Sequence, residues 1–412
     1  MKPQSRQTAA EELDAHDPLR AAADEFVLDD CVYLDGNSLG RMPRCVPERL
    51  REVADGEWGA GLVGSWLHHD WINLPARVGG RIAPLIGAGA DEVVVGNSTT
   101  VNLFNATASA LGLGSRRRIV TDESNFPTDL YALEGLQRLL GATITIDRVP
   151  AEDVLRALDG NTALVLLSHV DYRTATVLDM KRITQETHRA GGLVLWDLSH
   201  SAGALPVDLN GCNADLAVGC TYKYLNGGPG APAFTFAARR WHEKIRPVVS
   251  GWLGHKSPFA FDPVYEPAAG IRRLLSGTPE VLALSALDAS LSVFERFDLH
   301  ALRAKSLQLT ELFIQQIEQR CGKFGFGIVS PRDPDRRGSH VAVAHDHGYA
   351  IMQALIERRI VGDFRAPNLM RFGFAPLYQR FSDVEACVGA LEDIMRTGIW
   401  QAERFRSRAF VT

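Results

Sequence analysis

Between residues 91 and 230, short apolar runs alternate with amphipathic stretches. The apolar runs are of strand length and the stretches between them have helical spacing, so the pattern predicts strands that alternate with helices. Such alternation is typical of a mostly parallel sheet covered on both faces. The predicted strands are 92–96, 118–121, 143–146, 162–170, 192–197 and 214–220, with helices that include 101–111 and 183–190. The run at 162–170 is apolar throughout, which predicts a central strand.

The alternation weakens after Pro258, and the pattern there predicts a smaller α+β domain. It has long helices with one apolar face and a few strands. The helices are predicted at 281–294, 302–317 and 350–358, and the strands at 338–343 and 369–374. Residues 1–30 are polar and helix-prone. We therefore expect a large domain over 56–290 and a small domain formed by 1–55 with 291–412.

Composition narrows the class of protein. The chain has 412 residues, is 46% hydrophobic and carries a formal net charge of −5, which suits a globular protein of two domains. A pI near 6.2 and the lack of a basic block argue against a nucleic-acid partner. No apolar run has membrane-spanning length, and the N-terminus does not resemble a signal peptide. Six scattered cysteines lack metal-site or disulfide spacing, so we expect a reduced, cytoplasmic protein without a metal.

The first candidate for chemistry is Lys223, which stands between Tyr222 and Tyr224. It follows the predicted strand 214–220 and precedes a glycine-rich turn. A lysine among apolar and aromatic groups loses its proton more readily and can act as an amine nucleophile that forms a Schiff base. Taken alone, the motif favours the alternative of a surface lysine in a turn.

The second candidate is Asp197, which ends the predicted strand 192–197. A buried carboxylate needs a cationic or hydrogen-bonding partner, and the protonated ring nitrogen of pyridoxal phosphate (PLP) is one. The alternative is an aspartate that caps the next turn through Ser199. Asp197 and Lys223 are one strand–helix–strand step apart, which places them at neighbouring strand ends and predicts a PLP site. His200 would lie beside the cofactor.

Further strand ends carry groups that suit the same cofactor. Thr99 and Thr100 open a predicted helix, where a phosphate is favoured, although an ordinary helix cap has the same residues. Phe126 could stack on a pyridine ring or belong to the core. Neither a phosphate-binding loop of the nucleotide hydrolases nor a dinucleotide-binding glycine motif is present.

Two more stretches bear on substrate binding. Arg371, on the predicted strand 369–374, is either a bidentate partner for a substrate carboxylate or a solvent-facing arginine. Trp66 and His68 lie in an aromatic stretch that also contains His69. The two histidines face opposite ways on a regular element, so a shared metal site is not expected. Either a place in the pocket or a surface position fits them.

Taken together, five motifs resemble the kynureninase family of fold type I PLP enzymes over nearly the whole chain. They are the stretches 33–40 (YLDGNSLG), 125–129 (NFPTD), 195–203 (LWDLSHSAG), 220–230 (CTYKYLNGGPG) and 251–255 (GWLGH). The segments around Asp197 and Lys223 are shared loosely with cysteine desulfurases. The resemblance implies an α/β fold of the PLP-dependent transferase type, with a mostly parallel seven-stranded sheet flanked by helices and a smaller α+β domain.

The resemblance also implies residue roles. Lys223 would hold the PLP aldehyde, Asp197 the ring nitrogen, and Tyr222 would contact the phosphate. Tyr222 is also our candidate for a proton relay. Arg371, Trp66 and His68 would bind substrate. The remaining cofactor contacts would be Thr99, Thr100, Phe126, Asp129, Ser168, His200, Trp252 and Thr278, the last two from the second subunit of a homodimer with shared sites. Thr278 replaces an asparagine of animal relatives and favours plain L-kynurenine.

The implied activity is hydrolytic cleavage of the Cβ–Cγ bond of L-kynurenine to anthranilate and L-alanine, in tryptophan degradation. 3-Hydroxy-L-kynurenine is a further candidate substrate. The alternatives are a cysteine desulfurase or selenocysteine lyase using a late cysteine such as Cys321, an aminotransferase, and a non-catalytic PLP-binding regulator.

Overall fold

The structure is a computed structural model, and it describes residues 9–406. Within that range no helix is both long enough and apolar enough to cross a membrane. The helices are α1 Ala9–His16, α2 Val46–Glu52, α3 Ser65–His68, α4 Leu74–Ile82, α5 Thr99–Gly112, α6 Pro127–Leu140, α7 Val154–Ala157, α8 Met180–Arg189, α9 Val281–Phe294, α10 Leu299–Gln316, α11 Gly348–Glu357 and α12 Phe381–Thr397. The strands are β1 Val32–Tyr33, β2 Val93–Val95, β3 Arg118–Asp122, β4 Thr145–Val149, β5 Thr162–Ser168, β6 Leu193–Asp197, β7 Leu216–Gly219, β8 Phe234–Ala237, β9 Gly327–Ile328, β10 His340–Ala344, β11 Ile360–Val361, β12 Asp363–Arg365 and β13 Leu369–Gly373.

The chain divides into two compact units. The large unit comprises Cys45–Tyr172 and Val177–Ser292, and the small unit comprises Met1–Arg44, Arg173–Thr176 and Val293–Thr412. The predicted domains had their boundaries after residues 55 and 290, and assigned 173–176 to the large domain. Of the helix-prone stretch predicted over 1–30, residues 1–8 lie outside the described residues.

The large unit contains a seven-stranded sheet in the order β2-β8-β7-β6-β5-β3-β4. Only β8 runs against its neighbours, so the predicted mostly parallel sheet of seven strands is confirmed. Strands such as β5 and β6 are rich in Val and Leu and are buried, as expected where helices cover both faces. β5 is an interior strand paired with β3 and β6, so the prediction of a central strand is confirmed, although β6 occupies the middle position of the seven.

Helices α5 and α6 pack their apolar sides on this sheet. Leu103 and Leu133 belong to the same buried cluster as Leu164 and Leu195 of the strands. Burying a leucine side chain contributes roughly 1.5–3 kcal/mol, so this contact holds the start of each helix at a fixed place on the sheet.

The small unit has an antiparallel sheet in the order β12-β13-β10-β9, and β1 pairs in parallel with β11. Phe313 of α10 packs against Phe372 and Phe374, with ring centroids 4.9 and 5.3 Å apart. Helices on one antiparallel sheet form the predicted α+β arrangement.

Candidate active site

A cavity of about 330 Å³ lies at the carboxyl ends of the parallel strands of the large unit. Parallel strands end at one edge of a sheet, and ligands of open α/β sheets bind there. The structure brings nine of the predicted site residues together around this cavity. They are Thr99, Thr100, Phe126, Asp129, Ser168, Asp197, His200, Tyr222 and Lys223.

Lys223 presents its amine to this cavity. Its Nζ lies 3.0 Å from Nε2 of His200. The same amine is 5.7 Å from the ring centroid of Phe126 and 5.9 Å from that of Tyr222. The following turn fixes this position, since Asn226 has a φ of 57° and its N–H donates to the Lys223 carbonyl at 2.9 Å. The predicted amine among aromatic groups is therefore in place.

Two buried carboxyl groups face the same space. Asp197 is 5% exposed, and its Oδ1 accepts from the N–H and the hydroxyl of Ser199 at 2.8 and 2.6 Å. The turn-capping alternative is thus observed, yet Asp197 also lines the cavity. Asp129 is fully buried, and neither carboxyl oxygen has a hydrogen-bond partner among the described residues.

The electrostatics of this pair favour a bound cation. Burial raises the pKa of Asp129 well above its usual range, and the negative charge of Asp197 raises it further. Burial also raises the pKa of Asp197, against the hydrogen bonds from Ser199. Two acids that resist ionisation together gain most from a positively charged donor between them. A protonated pyridine nitrogen has that charge and that single N–H, so the residues fit this part of PLP.

The start of α5 provides a site for a negatively charged group. Ser98 caps the helix by accepting from the N–H of Val101 at 3.4 Å, and Thr99 and Thr100 open its first turn. The free N–H groups and the dipole of a helix start favour a phosphate. All three hydroxyl side chains line the cavity. The described residues contain no cluster of three or more His, Cys, Asp or Glu side chains that could hold a metal.

Four further predicted residues do not line this cavity within the described chain. Trp252 Nε1 donates to Thr278 Oγ1 at 3.3 Å. The Trp66 ring lies 5.4 Å from the Trp252 ring and 6.4 Å from that of Phe259. His68, at the end of α3, is exposed. We call Trp66, Trp71, Trp252, Phe259 and Phe261 the aromatic cluster.

Arg371 belongs to the small unit and is 2% exposed. The solvent-facing alternative is therefore wrong. Its Nε donates to Asp363 Oδ1 at 2.7 Å, and its Nη2 donates to the other oxygen of the same carboxylate. Its predicted contact with a substrate carboxylate stays a prediction.

Comparison with known proteins decides the family. The chain is 47% identical to a kynureninase of Burkholderia mallei (strain SAVP1) over 97% of this chain and 98% of the relative. It is 50% identical to a kynureninase of Deinococcus radiodurans over 93% of this chain and 95% of the relative. The chain belongs to the kynureninase family. The family description "Kynureninase C-terminal domain" also matches residues 302–391.

Solved structures agree on the fold of this kynureninase-family protein. The apo cysteine desulfurase of Thermococcus onnurineus NA1 superposes with a TM-score of 0.76 at 17% identity, covering 96% of this chain and all of that one. A C-DES variant with glycine linked to its PLP cofactor gives 0.78 at 19% identity, covering 89% and 97%. At these identities the likeness concerns the fold, and the predicted fold class is confirmed.

The sequence prediction missed several residues around the cavity of the kynureninase-family chain. Tyr172 meets the Phe126 ring edge-on, with centroids 5.1 Å apart at 90°. It lies just beyond β5, so the rule that singled out strand ends could have found it. Thr128 and Glu280 also line the cavity. Glu280 precedes α9 and gave no signal, because no predicted strand ends near it.

Proposed function

We propose that this kynureninase-family protein is a PLP-dependent hydrolase that cleaves the Cβ–Cγ bond of L-kynurenine. The observation that carries the proposal is the Lys223 amine facing the same cavity as two buried aspartates, in a chain 47% identical to a kynureninase over 97% of its length. The products are anthranilate and L-alanine.

Different residues would contact different parts of the cofactor. The first turn of α5, with Thr99 and Thr100, would hold the phosphate. Asp197 and Asp129 would hold the ring nitrogen, and Lys223 the aldehyde carbon. When bound, PLP supplies a protonated ring that withdraws electrons from the substrate amino acid.

Side chains of the protein would then transfer protons to and from the substrate. Lys223 Nζ is the base we assign to the proton on the substrate Cα, and the 3.0 Å contact with His200 keeps it oriented. The neighbouring Cys220 and burial raise the pKa of Tyr222, so its hydroxyl keeps a proton to donate. Water supplies OH to the carbonyl carbon and H to Cβ as the C–C bond breaks. Tyr222 would deliver the proton to Cβ.

Turnover of L-kynurenine tests the proposal. Purified protein with PLP is expected to release anthranilate, followed by its fluorescence, and L-alanine in equal amounts without a keto-acid acceptor. Because Thr278 stands where animal relatives carry asparagine, kcat/KM should be higher for L-kynurenine than for 3-hydroxy-L-kynurenine. A protein that binds PLP but leaves both substrates intact would instead be a non-catalytic binder. A requirement for a keto acid would indicate an aminotransferase.

The cysteine desulfurase alternative needs an accessible late thiol. Cys321 is 0% exposed, and burial raises the pKa of its thiol to about 11. A buried neutral thiol is a poor nucleophile. We therefore expect no sulfide or selenide from L-cysteine or L-selenocysteine in the same assay.

We also propose a cytoplasmic location. All six cysteines lie within the described residues and are free thiols. A reducing compartment maintains that state.

We further propose a homodimer whose sites are shared. Trp252 and Thr278, which the family resemblance assigns to the phosphate, do not line the cavity of their own chain among the described residues. They belong to or touch the aromatic cluster, where Phe259 and Phe261 are 50% and 74% exposed. Exposed aromatic patches of this kind mark interfaces, and a second copy related by a two-fold axis could place Trp252 at the other cavity.

Mixing two inactive variants tests this arrangement. Lys223→Ala and Trp252→Ala proteins, unfolded and refolded together, should form hybrids in which one site has both residues intact. Random pairing would recover about a quarter of wild-type activity. Mixing Lys223→Ala with Asp197→Asn is the control, since one chain supplies both residues and no site is restored. Equal recovery in both mixtures, or a monomer in solution, would contradict the shared site.

A further inference from the structure

Asn125 contacts two residues of the candidate active site from outside the cavity. It lies in the turn that follows β3, where its N–H donates to the Asp122 carbonyl at 3.1 Å. Because β3 pairs in parallel with β5, this turn meets Ser168 at the end of β5. Asn125 is 4% exposed and does not line the cavity, whereas Phe126 and Ser168 do. Any effect of Asn125 on a bound molecule would therefore act through these two neighbours.

The Asn125 side chain accepts three hydrogen bonds with a single atom. Its Oδ1 lies 2.9 Å from the backbone N of Phe126, 3.3 Å from the backbone N of Ser168 and 2.6 Å from the Ser168 hydroxyl oxygen. A backbone N–H can only donate, so the amide atom that faces these groups is the oxygen. Nδ2 of Asn125 is buried and has no partner among the described residues. The acceptor is thus the part of this side chain that the protein uses.

This contact determines the direction of the Ser168 hydroxyl group. A serine hydroxyl has one proton to donate, and an amide oxygen can only accept it. Because Ser168 donates its proton to Asn125, only the lone pairs of its oxygen remain for a molecule in the cavity. Ser168 therefore acts as an acceptor toward a ligand. Without the Asn125 oxygen, the hydroxyl could rotate and donate instead.

The strand order indicates which part of PLP Ser168 would meet. The start of α5 lies beside β8, because the Ala233 N–H donates to the Asn97 carbonyl at 2.8 Å. Ser168 stands opposite Asp197 in the register of β5 and β6, on the side of β6 away from β7 and β8. With the phosphate at the start of α5 and the ring nitrogen at Asp197, Ser168 is on the other side of the ring from the phosphate. That side of PLP carries the ring hydroxyl.

We infer that Asn125 is a positioning residue that makes the Ser168 hydroxyl an acceptor for the ring hydroxyl of PLP. This inference rests on the proposed function, since it requires PLP in this cavity. An acceptor favours the protonated form of the ring hydroxyl, whereas a donor would favour the deprotonated form. Asn125 thus helps the protein to retain a proton on the cofactor, next to the aldehyde carbon that Lys223 would hold.

The sign of a spectroscopic shift tests this inference. The visible absorption of the bound cofactor changes with pH as this proton is lost, and the midpoint of the change can be measured without turnover. Ser168→Ala should lower the midpoint, because an acceptor is lost. Asn125→Ala should lower it further, by about one pH unit from wild type, because the released hydroxyl can donate to the deprotonated ring oxygen. Asn125→Asp should not lower it, since a carboxylate oxygen can accept the same three hydrogen bonds.

Two comparisons separate this role from damage to the fold. Asn105→Ala is the matched control, because Asn105 is 5% exposed, accepts from the N–H groups of Val248 and Val249 at 2.8 and 3.1 Å, and does not line the cavity. Its loss should leave the midpoint unchanged. The double variant Asn125→Ala with Ser168→Ala should have the midpoint of Ser168→Ala alone, because Asn125 then has no hydroxyl to orient.

Every variant keeps the other titratable groups that line the cavity, so these groups contribute equally to each midpoint. Besides Lys223, which would hold the aldehyde, they are Asp129, Tyr172, Asp197, His200, Tyr222 and Glu280. A difference between variants therefore reports on Asn125 and Ser168.

The outcomes distinguish an error in the inference from an error in the proposed function. A midpoint that rises in Ser168→Ala would overturn the inference, because Ser168 would then donate in the wild type, and this comparison holds even if Asn125→Ala does not fold. An effect of Asn125→Ala that persists in the Ser168→Ala background would also overturn it. A wild type that shows the cofactor absorption but leaves L-kynurenine intact would instead reject the proposed function. A wild type without that absorption would overturn both.

Discussion

Replacing Lys223 with alanine is expected to abolish L-kynurenine cleavage while leaving the protein folded. The side chain is half-buried at the cavity, so its loss removes little packing, but it removes the amine that we assign to both the aldehyde and the Cα proton. Loss of a nucleophile that is also the base should lower kcat by about 10⁴-fold or more. Anthranilate fluorescence measures the loss, and circular dichroism checks the fold.

A chemical label makes the assignment independent of turnover. Borohydride reduction of the wild-type holoenzyme should leave the cofactor mass on the Lys223 peptide, and the variant should carry none. Lys244→Ala is the control, because that exposed amine also lies near an aromatic ring, 5.1 Å from the Trp241 centroid. Label on another lysine, or turnover above about 1% of wild type in Lys223→Ala, would show that a different amine does this work.

Much of the large unit could be predicted from the sequence because the pattern that marks each buried parallel strand is local. A buried parallel strand is an unbroken apolar run, and the polar residue that follows it is marked by position alone. Asp197 and Ser168 were found in this way, as the last residues of β6 and β5. Strand β8 was missed, since it follows a glycine turn and runs antiparallel, outside the strand–helix alternation.

Contacts between residues that are far apart in the sequence could not be predicted from it. Nothing in the pattern indicated that Asp363 opposes Arg371, because β12 is only three residues long and its pairing depends on the register with β13. The placement of Trp252 away from the cavity of its own chain was anticipated only through family resemblance. Spacing along one chain carries no information about which residues a second copy would supply.

Replacing Asp197 with asparagine should have the second-largest effect, a fall in kcat of about 1,000-fold with the cofactor still bound. Asparagine keeps the size and an acceptor for Ser199, but it removes the charge that would keep the pyridine nitrogen protonated. The Asp129 carboxyl remains, and without the Asp197 charge beside it Asp129 should ionise more readily. Because Asp129 can then take over part of the role of Asp197, activity should fall rather than disappear.

Asp122→Asn is the matched control for this change. Asp122 also ends a strand, is 7% exposed and accepts from the N–H and hydroxyl of Ser124 at 2.9 Å each, but it does not line the cavity. The Asp122→Asn variant should therefore keep near wild-type kcat.

The pH dependence of stability in the apo proteins gives a second measurement. The raised pKa of Asp129 means that the folded state holds a proton which the unfolded state releases near pH 4, so stability falls as pH rises above that value until the raised pKa is reached. Asp197→Asn should weaken this fall by removing the repelling charge. Burial also raises the pKa of Asp122, so Asp122→Asn should remove the contribution of that carboxyl alone and leave the contribution of Asp129 in place. Equal pH profiles for wild type and Asp197→Asn would mean that the two acids do not share one site.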